Sequence, residues 1–209
     1  MHNKYSLEKI KRAMNLKSYT FFEKGIYNLN IIGIRNSSTA NKVTNSFDDT
    51  ITISYKDEKD EWQYHEFDCT TDPGTHWVEN IMNYKGVAIL KPGQYKKSHK
   101  IGKHQGKYEA LCQQNLVTVY RDKNRDDVYN LNTEKTDTGL FGINIHRATE
   151  KAGNKSTKID KWSAGCQVIA SNNDWTKFIK ICKKAKNTWS NNFTYTLLES
   201  KDIPLSWLS

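Results

Sequence analysis

The residues with chemistry to offer stand in two short runs, Phe141-Gly142-Ile143-Asn144-Ile145-His146 and Ser163-Ala164-Gly165-Cys166. A histidine ends the first run, and sixteen residues separate it from the serine that opens the second. A thiol attacks as its thiolate, and a free thiol is mostly protonated at neutral pH. An imidazole beside the sulfur would supply the base. Side chains of an extended run alternate between faces. Ile143 and Ile145 then point to a core, while Asn144 and His146 point together toward a groove, where Asn144 can line the site or contact substrate. Gly165 lets the chain turn tightly and lets an acyl carbon approach the sulfur. The amides of Gly165 and Cys166 are candidates for an oxyanion hole. The pattern reads as a cysteine acyl-transfer site with Cys166 as nucleophile and His146 as base. The bland alternative is a structural cysteine entering a buried strand and a histidine at a strand end.

The elements that must position these groups are mostly strands. Runs at 19–22, 29–34, 50–55 and 62–67 are rich in β-branched and aromatic residues and are bounded by polar turn clusters. The segments 86–90, 116–120, 142–147, 165–170 and 193–198 read the same way. Lys56-Asp57-Glu58-Lys59-Asp60 suits a charged hairpin tip. Ser6 can cap a short helix with Leu7, Ile10 and Met14 on one face. A later helix, over about 174–187, is marked by Trp175, Phe178, Ile179, Cys182 and Ala185 at helical spacing, with Lys180, Lys183 and Lys184 opposite. Cys182 falls on the apolar stripe and reads as core. No repeat or Pro/Gly/Ser linker interrupts the chain. The simplest parse is an N-terminal helical extension, 1–17, and one β-rich catalytic domain, 18–209.

The bulk composition bounds the rest. The chain has 209 residues, enough to bury a core without staples, with 36% hydrophobic and 26% charged residues. A net charge of +9 points to an anionic partner without choosing among nucleic acid, acidic polymer, membrane surface and carboxylate substrate. The four cysteines are widely spaced, so free thiols are expected rather than a disulfide framework or a zinc knuckle. Neither a secretory leader nor a run of ~18 apolar residues is present, so the expectation is a soluble protein made in the cytoplasm. No metal-ligand spacing or cofactor motif stands out. Asp122–Asp127 imitates a calcium loop but lacks its glycine and closing glutamate, and reads as an Asx-rich turn.

The Ile145-His146 … Ser163-x-Gly165-Cys166 pattern resembles the catalytic signature of the L,D-transpeptidase (YkuD-like) family. Leu90-Lys91-Pro92-Gly93-Gln94-Tyr95 looks like a compressed form of that family's substrate-side motif. The resemblance covers residues 86–170, and the chain as a whole is similar to small bacteriophage-encoded proteins. It implies a β-sandwich with a groove, a peptidoglycan stem peptide as substrate, and a Cys166 thioester formed with His146 as base and then acid. An amine acceptor would give a cross-link and water would give hydrolysis. The candidate substrate contacts are Asn144, Arg147, Trp162, Ser163, Gln167 and Tyr95, and a monomer without a cofactor is expected. The resemblance implies a role in phage lysis, acting at the wall after release. The chain departs from the family at Ala164 (usually His), Arg147 (usually small) and Val168 (usually polar), which bears on acceptor binding and carboxylate recognition. Trp162 and Gln167 are the candidates to compensate.

Charge fits an anionic wall polymer as well. Arg147, Lys151, Lys155, Lys158 and Lys161 crowd the His146–Cys166 connection, and Lys96-Lys97-Ser98-His99-Lys100-Ile101-Gly102-Lys103-His104 forms a second basic stretch. The competing reading is therefore a non-catalytic basic module that binds wall polymer or nucleic acid. Nucleic acid is disfavoured because no RNP-like or Gly-x-x-Gly motif appears. A sortase- or caspase-like peptidase shares the His-before-Cys order but not the residues around the nucleophile.

Overall fold

A computed structural model describes residues 4–131 and 135–203. The first three residues of the expected extension and the last six of the expected domain lie outside the described residues. The chain is mainly β. In order come α1 (Leu7–Leu16), β1 (Asn30–Arg35), β2 (Asp49–Lys56), β3 (Trp62–Thr70), α2 (Thr75–Glu79), β4 (Val87–Leu90), β5 (Gly93–His104) and β6 (Tyr108–Gln113). Then follow β7 (Val117–Asp122), β8 (Thr136–Gly139), β9 (Ile145–Arg147), β10 (Gln167–Ile169), α3 (Asn172–Thr188) and β11 (Phe193–Glu199).

Where a sandwich was expected, the main sheet closes on itself. Eight strands form a barrel in the order β1-β11-β5-β6-β9-β10-β3-β2, and β4-β7-β8 make a separate three-stranded sheet. The β1/β11 and β9/β10 pairs are parallel. Closure is narrowest at β9 and β10, where β3 pairs only through Cys69 and Thr70 and β6 only through Leu111. Strand alternation sends Ile31, Ile51, Ile53, Phe67, Leu111, Ile145, Ile169 and Leu197 into one core. Trp175, Phe178, Cys182 and Ala185 of α3 enter that core from one side, and Leu90, Val117 and Val119 of the small sheet join it. Ser171 caps α3 by accepting from the Asp174 amide. The opposite face of β1 and β11 (Ile32, Ile34, Leu198) is covered by Ile10, Ala13 and Met14 of α1, so the N-terminal helix docks on the barrel.

Several elements differ from the sequence expectation. Residues 19–22 form no strand; Thr20 and Phe22 are instead held by the side chains of Gln94 and Asn30. The β5–β6 hairpin, β8 and α2 were not anticipated. The run 142–147 is a strand only from Ile145, because Gly142 takes a left-handed φ of 71°. The charged tip at 56–60 is a turn as expected, with the Asp57 carboxylate accepting from the Lys59 and Glu61 amides.

The barrel also buries charge. Arg35 is 1% exposed. Its Nε lies 2.9 Å from Asp72, and its other nitrogens donate to the carbonyls of Leu90 and Thr71. Asp49 accepts from the amides of Asn36 and Thr71 and from the Thr71 hydroxyl. One cation thus faces two carboxylates, the buried Asp49 and the partly buried Asp72, and Asp49 has the hydrogen bonds that favour an anion. Burial raises the Asp72 carboxyl despite Arg35, and repulsion from Asp49 adds to the rise. A carboxyl raised in the folded state holds a proton that the unfolded chain has released, so its contribution to stability falls as pH climbs through the window above the ordinary aspartate range. Buried His99 and His146 act with the opposite sign, so the effect must be read as a difference. Urea midpoints of wild type and Asp72→Asn should show the wild type losing ground to the variant between pH 5 and pH 8. A constant difference would mean that Asp72 stays ionised throughout.

Candidate active site

The parallel register pairs Gln167 with Ile145, Val168 with His146 and Ile169 with Arg147. Paired residues of adjacent strands share a face. Ile145, Gln167 and Ile169 face the core, so His146 and Val168 face outward. One step back, Gln167 N–H donates to the Asn144 carbonyl at 2.8 Å, which sets Cys166 beside Asn144 on the same outward face. On the other flank β6 pairs Leu111 with Ile145, placing Ala110 beside His146 and Cys112 beside Asn144. His146 and Cys166 are therefore diagonal neighbours on adjacent strands.

The segment before β9 is fixed by Gln113. Its side-chain oxygen accepts from the Phe141 and Ile143 amides, and its own amide donates to Asn144 Oδ1. Buried His99 reaches the Ile143 carbonyl from within the core at 2.8 Å. The Cys166 thiol sits against this frame and donates to the Gly142 carbonyl at 3.3 Å. Gly165 has φ 125°, and a Cβ there would meet the Ala88 carbonyl at 2.3 Å, so no other residue fits. The Ser163 hydroxyl closes the turn by accepting from the Gly165 amide and donating to the Cys166 carbonyl.

His146 is 2% exposed. Its Nδ1 lies 2.9 Å from the Arg147 carbonyl and 3.0 Å from the Tyr108 hydroxyl. A carbonyl only accepts, so the ring proton is assigned to Nδ1. Nε2 is then a bare lone pair, and it is buried with no hydrogen-bond partner. The His104 ring stacks on His146 with centroids 4.1 Å apart. Burial, with His104 adding to it, pushes His146 down to about 3. Burial pushes the partly exposed Cys166 up to about 11, against a lowering contribution from the Asn144 amide. The resting site thus holds a neutral thiol and a neutral imidazole that share a face without a sulfur–nitrogen hydrogen bond.

Two clefts flank the pair. One, of about 740 Å³, is walled by His146, His104, Tyr108, Arg147, Lys151 and Trp162, with Lys107 and Lys161 adding positive charge. The other, of about 330 Å³, is lined by Ala164, Phe141, Leu140, Trp77, Met82 and Arg121. Cys166 lines neither. Of the expected substrate contacts, Arg147 and Trp162 meet His146 in the first cleft. Arg147 lies 4.2 Å over the Tyr108 ring, and Trp162 is 45% exposed.

Four expected contacts are corrected. Gln167 is fully buried inside the barrel, where it accepts from the Tyr195 hydroxyl at 2.8 Å. Ser163 is buried and serves its own turn. The Tyr95 hydroxyl donates to the Lys91 and Thr118 carbonyls and holds the 91–95 bend. Asn144 is fixed between Gln113 and His104 Nδ1, so it orients an imidazole. The Gly165 amide, expected in the oxyanion hole, is used inside the turn. His104, Tyr108 and Gln113 were missed. All three lie on or beside the β5–β6 hairpin, whose signal is the Gln105-Gly106 turn with both φ values positive.

No family model, curated protein or solved structure matches this chain. Among the described residues, no helix is long and apolar enough to cross a membrane and no cluster of His, Cys, Asp or Glu is arranged to hold a metal.

A thiol raised to about 11 is a slow nucleophile at neutral pH. Carbamidomethylation of Cys166, followed by peptide mass analysis, should accelerate about tenfold per pH unit up to at least pH 10. A rate that levels off near pH 7 would show that the thiolate is already formed at rest.

Proposed function

We propose that this chain is a cysteine acyl-transfer enzyme of L,D-transpeptidase type, acting on peptidoglycan stem peptides in phage lysis. The observation that carries the reading is the placement of His146 on β9 beside Asn144 and Cys166, the residues just before β9 and β10, on one outward face next to a basic cleft. The bare Nε2 of His146 is the base. A turn of the Cys166 side chain away from the Gly142 carbonyl would bring the thiol proton toward it. The thiolate then attacks the acyl carbon, and the C–S bond forms as the leaving amine takes the proton back from His146. An amine or water attacks the thioester in the second step and regenerates the thiol. The substrate's part is to exclude water and draw thiol and imidazole together. The Cys166 amide is the oxyanion donor of this scheme, and Arg147 and Trp162 line the substrate cleft.

A second reading has its own support. Thiol and imidazole are both neutral, and the basic cleft omits Cys166 from its wall. A binding module for anionic wall polymer needs no nucleophile and fits those two facts.

Muropeptide turnover separates the readings. Cys166→Ala should abolish turnover while the urea midpoint stays near that of wild type, and exposure to a carbapenem should add one drug mass at Cys166. Salt-sensitive binding of wall polymer that persists in Cys166→Ala, with no adduct in wild type, would overturn the enzymatic reading in favour of the binding module.

A further inference from the structure

Two stacked imidazoles, His104 and His146, line the larger cleft, and their remaining ring nitrogens have opposite hydrogen-bonding character. Asn144 Oδ1 accepts from the Gln113 amide, so its Nδ2 is the donor to His104 Nδ1 at 3.0 Å. That leaves the His104 ring proton on Nε2, a donor. His146 carries the reverse, an unpartnered lone pair on Nε2 with less than 1 Å² exposed, so a ligand reaches it only as the surrounding side chains give way. A buried acceptor left without a hydrogen is destabilising, and a ligand hydroxyl or N–H would remove that cost. Beside the rings stand Lys107, Lys151 and Lys161, and the half-exposed face of Trp162. The one acid on the wall, Glu150, is 3.6 Å from Arg147.

We propose that this cleft binds an acidic saccharide. One sugar hydroxyl donates to His146 Nε2, a neighbouring oxygen accepts from His104 Nε2–H, the sugar ring lies on Trp162, and the acid group sits among Lys107, Lys151 and Lys161. Adjacent sugar hydroxyls supply a donor and an acceptor side by side. A bare phosphate chain supplies only acceptors and leaves His146 unsatisfied. The N–H and C=O of a trans peptide point in opposite directions, which suits two stacked rings poorly. A volume of about 740 Å³ is of the size that holds a small oligosaccharide. The inference does not rest on acyl transfer and would survive an inert Cys166.

Calorimetric titration of the full chain tests it. The probes are trigalacturonic acid, a 6-phosphorylated trisaccharide, a neutral trisaccharide, a single-stranded hexanucleotide and a hexaglutamate peptide. At least one acidic sugar should bind about tenfold or more tighter than the neutral sugar, the nucleotide and the peptide. Which acidic sugar binds tells carboxylate from phosphate. Trp162→Ala should weaken that binding about tenfold. Lys151→Ala with Lys161→Ala should weaken it and flatten its salt dependence, because fewer counterions are displaced. His146→Ala should weaken it likewise, and the exposed Trp162 and lysine variants carry the test if the buried histidine variant does not fold. Equal or tighter binding of nucleotide or peptide, no binding of either acidic sugar, or unchanged affinity in both the Trp162 and the lysine variants would overturn the proposal.

Discussion

The parallel contact between β9 and β10 decides what this molecule can do. Parallel neighbours cannot be joined by a tight turn; the chain must leave the sheet and return. Here the return path is the segment 148–166, and it carries Lys151, Lys161 and Trp162 to the wall of the cleft that His146 borders. The connection that makes the pairing possible therefore also supplies the charge and the aromatic face. It is stitched down along its length. Ser156 N–H donates to the Ala170 carbonyl, Ile159 N–H to the Asn45 carbonyl, and Trp77 Nε1 to the Lys161 carbonyl. Ile159 is buried and anchors its middle.

The pairing itself is only three residues long on each side, so its register needs support from both flanks. β3 and β6 supply the lateral partners. Gln167 locks β10 from within the barrel through Tyr195, and Gln113 with His99 locks the approach to β9. A slip of one residue would send His146 into the core and Gln167 out of it. The polar side chains buried around the pair thus act on register, while the hydrophobic core supplies the bulk of the stabilisation.

Much of the frame was legible in the sequence. Ile31, Ile51, Ile53 and Phe67 alternate cleanly, and Trp175, Phe178, Cys182 and Ala185 recur at helical spacing, so their elements read directly. The alternation around Asn144 and His146 gave the correct faces. The β5–β6 hairpin hid because Lys96, Lys97, Lys100 and Lys103 mask its pattern, and because an inward-facing residue, His99, is polar. His104 and Tyr108 were lost with it, so the sequence offered His146 without the neighbours that set its proton. Gln167 reads as a substrate contact because it adjoins the nucleophile, and Tyr95 because it closes the run that resembles a substrate-side motif. Whether a side chain points into a barrel depends on closure, which no local pattern states.

The site's chemistry turns on where one proton sits. Long-range proton–nitrogen correlation spectra of ¹⁵N-histidine-labelled protein at pH 7 report it directly. His146 is expected to be neutral, with the proton on Nδ1 and Nε2 bare, and to stay so as pH is lowered to 5. A His146 ring protonated on Nε2, or doubly protonated at pH 7, would contradict it.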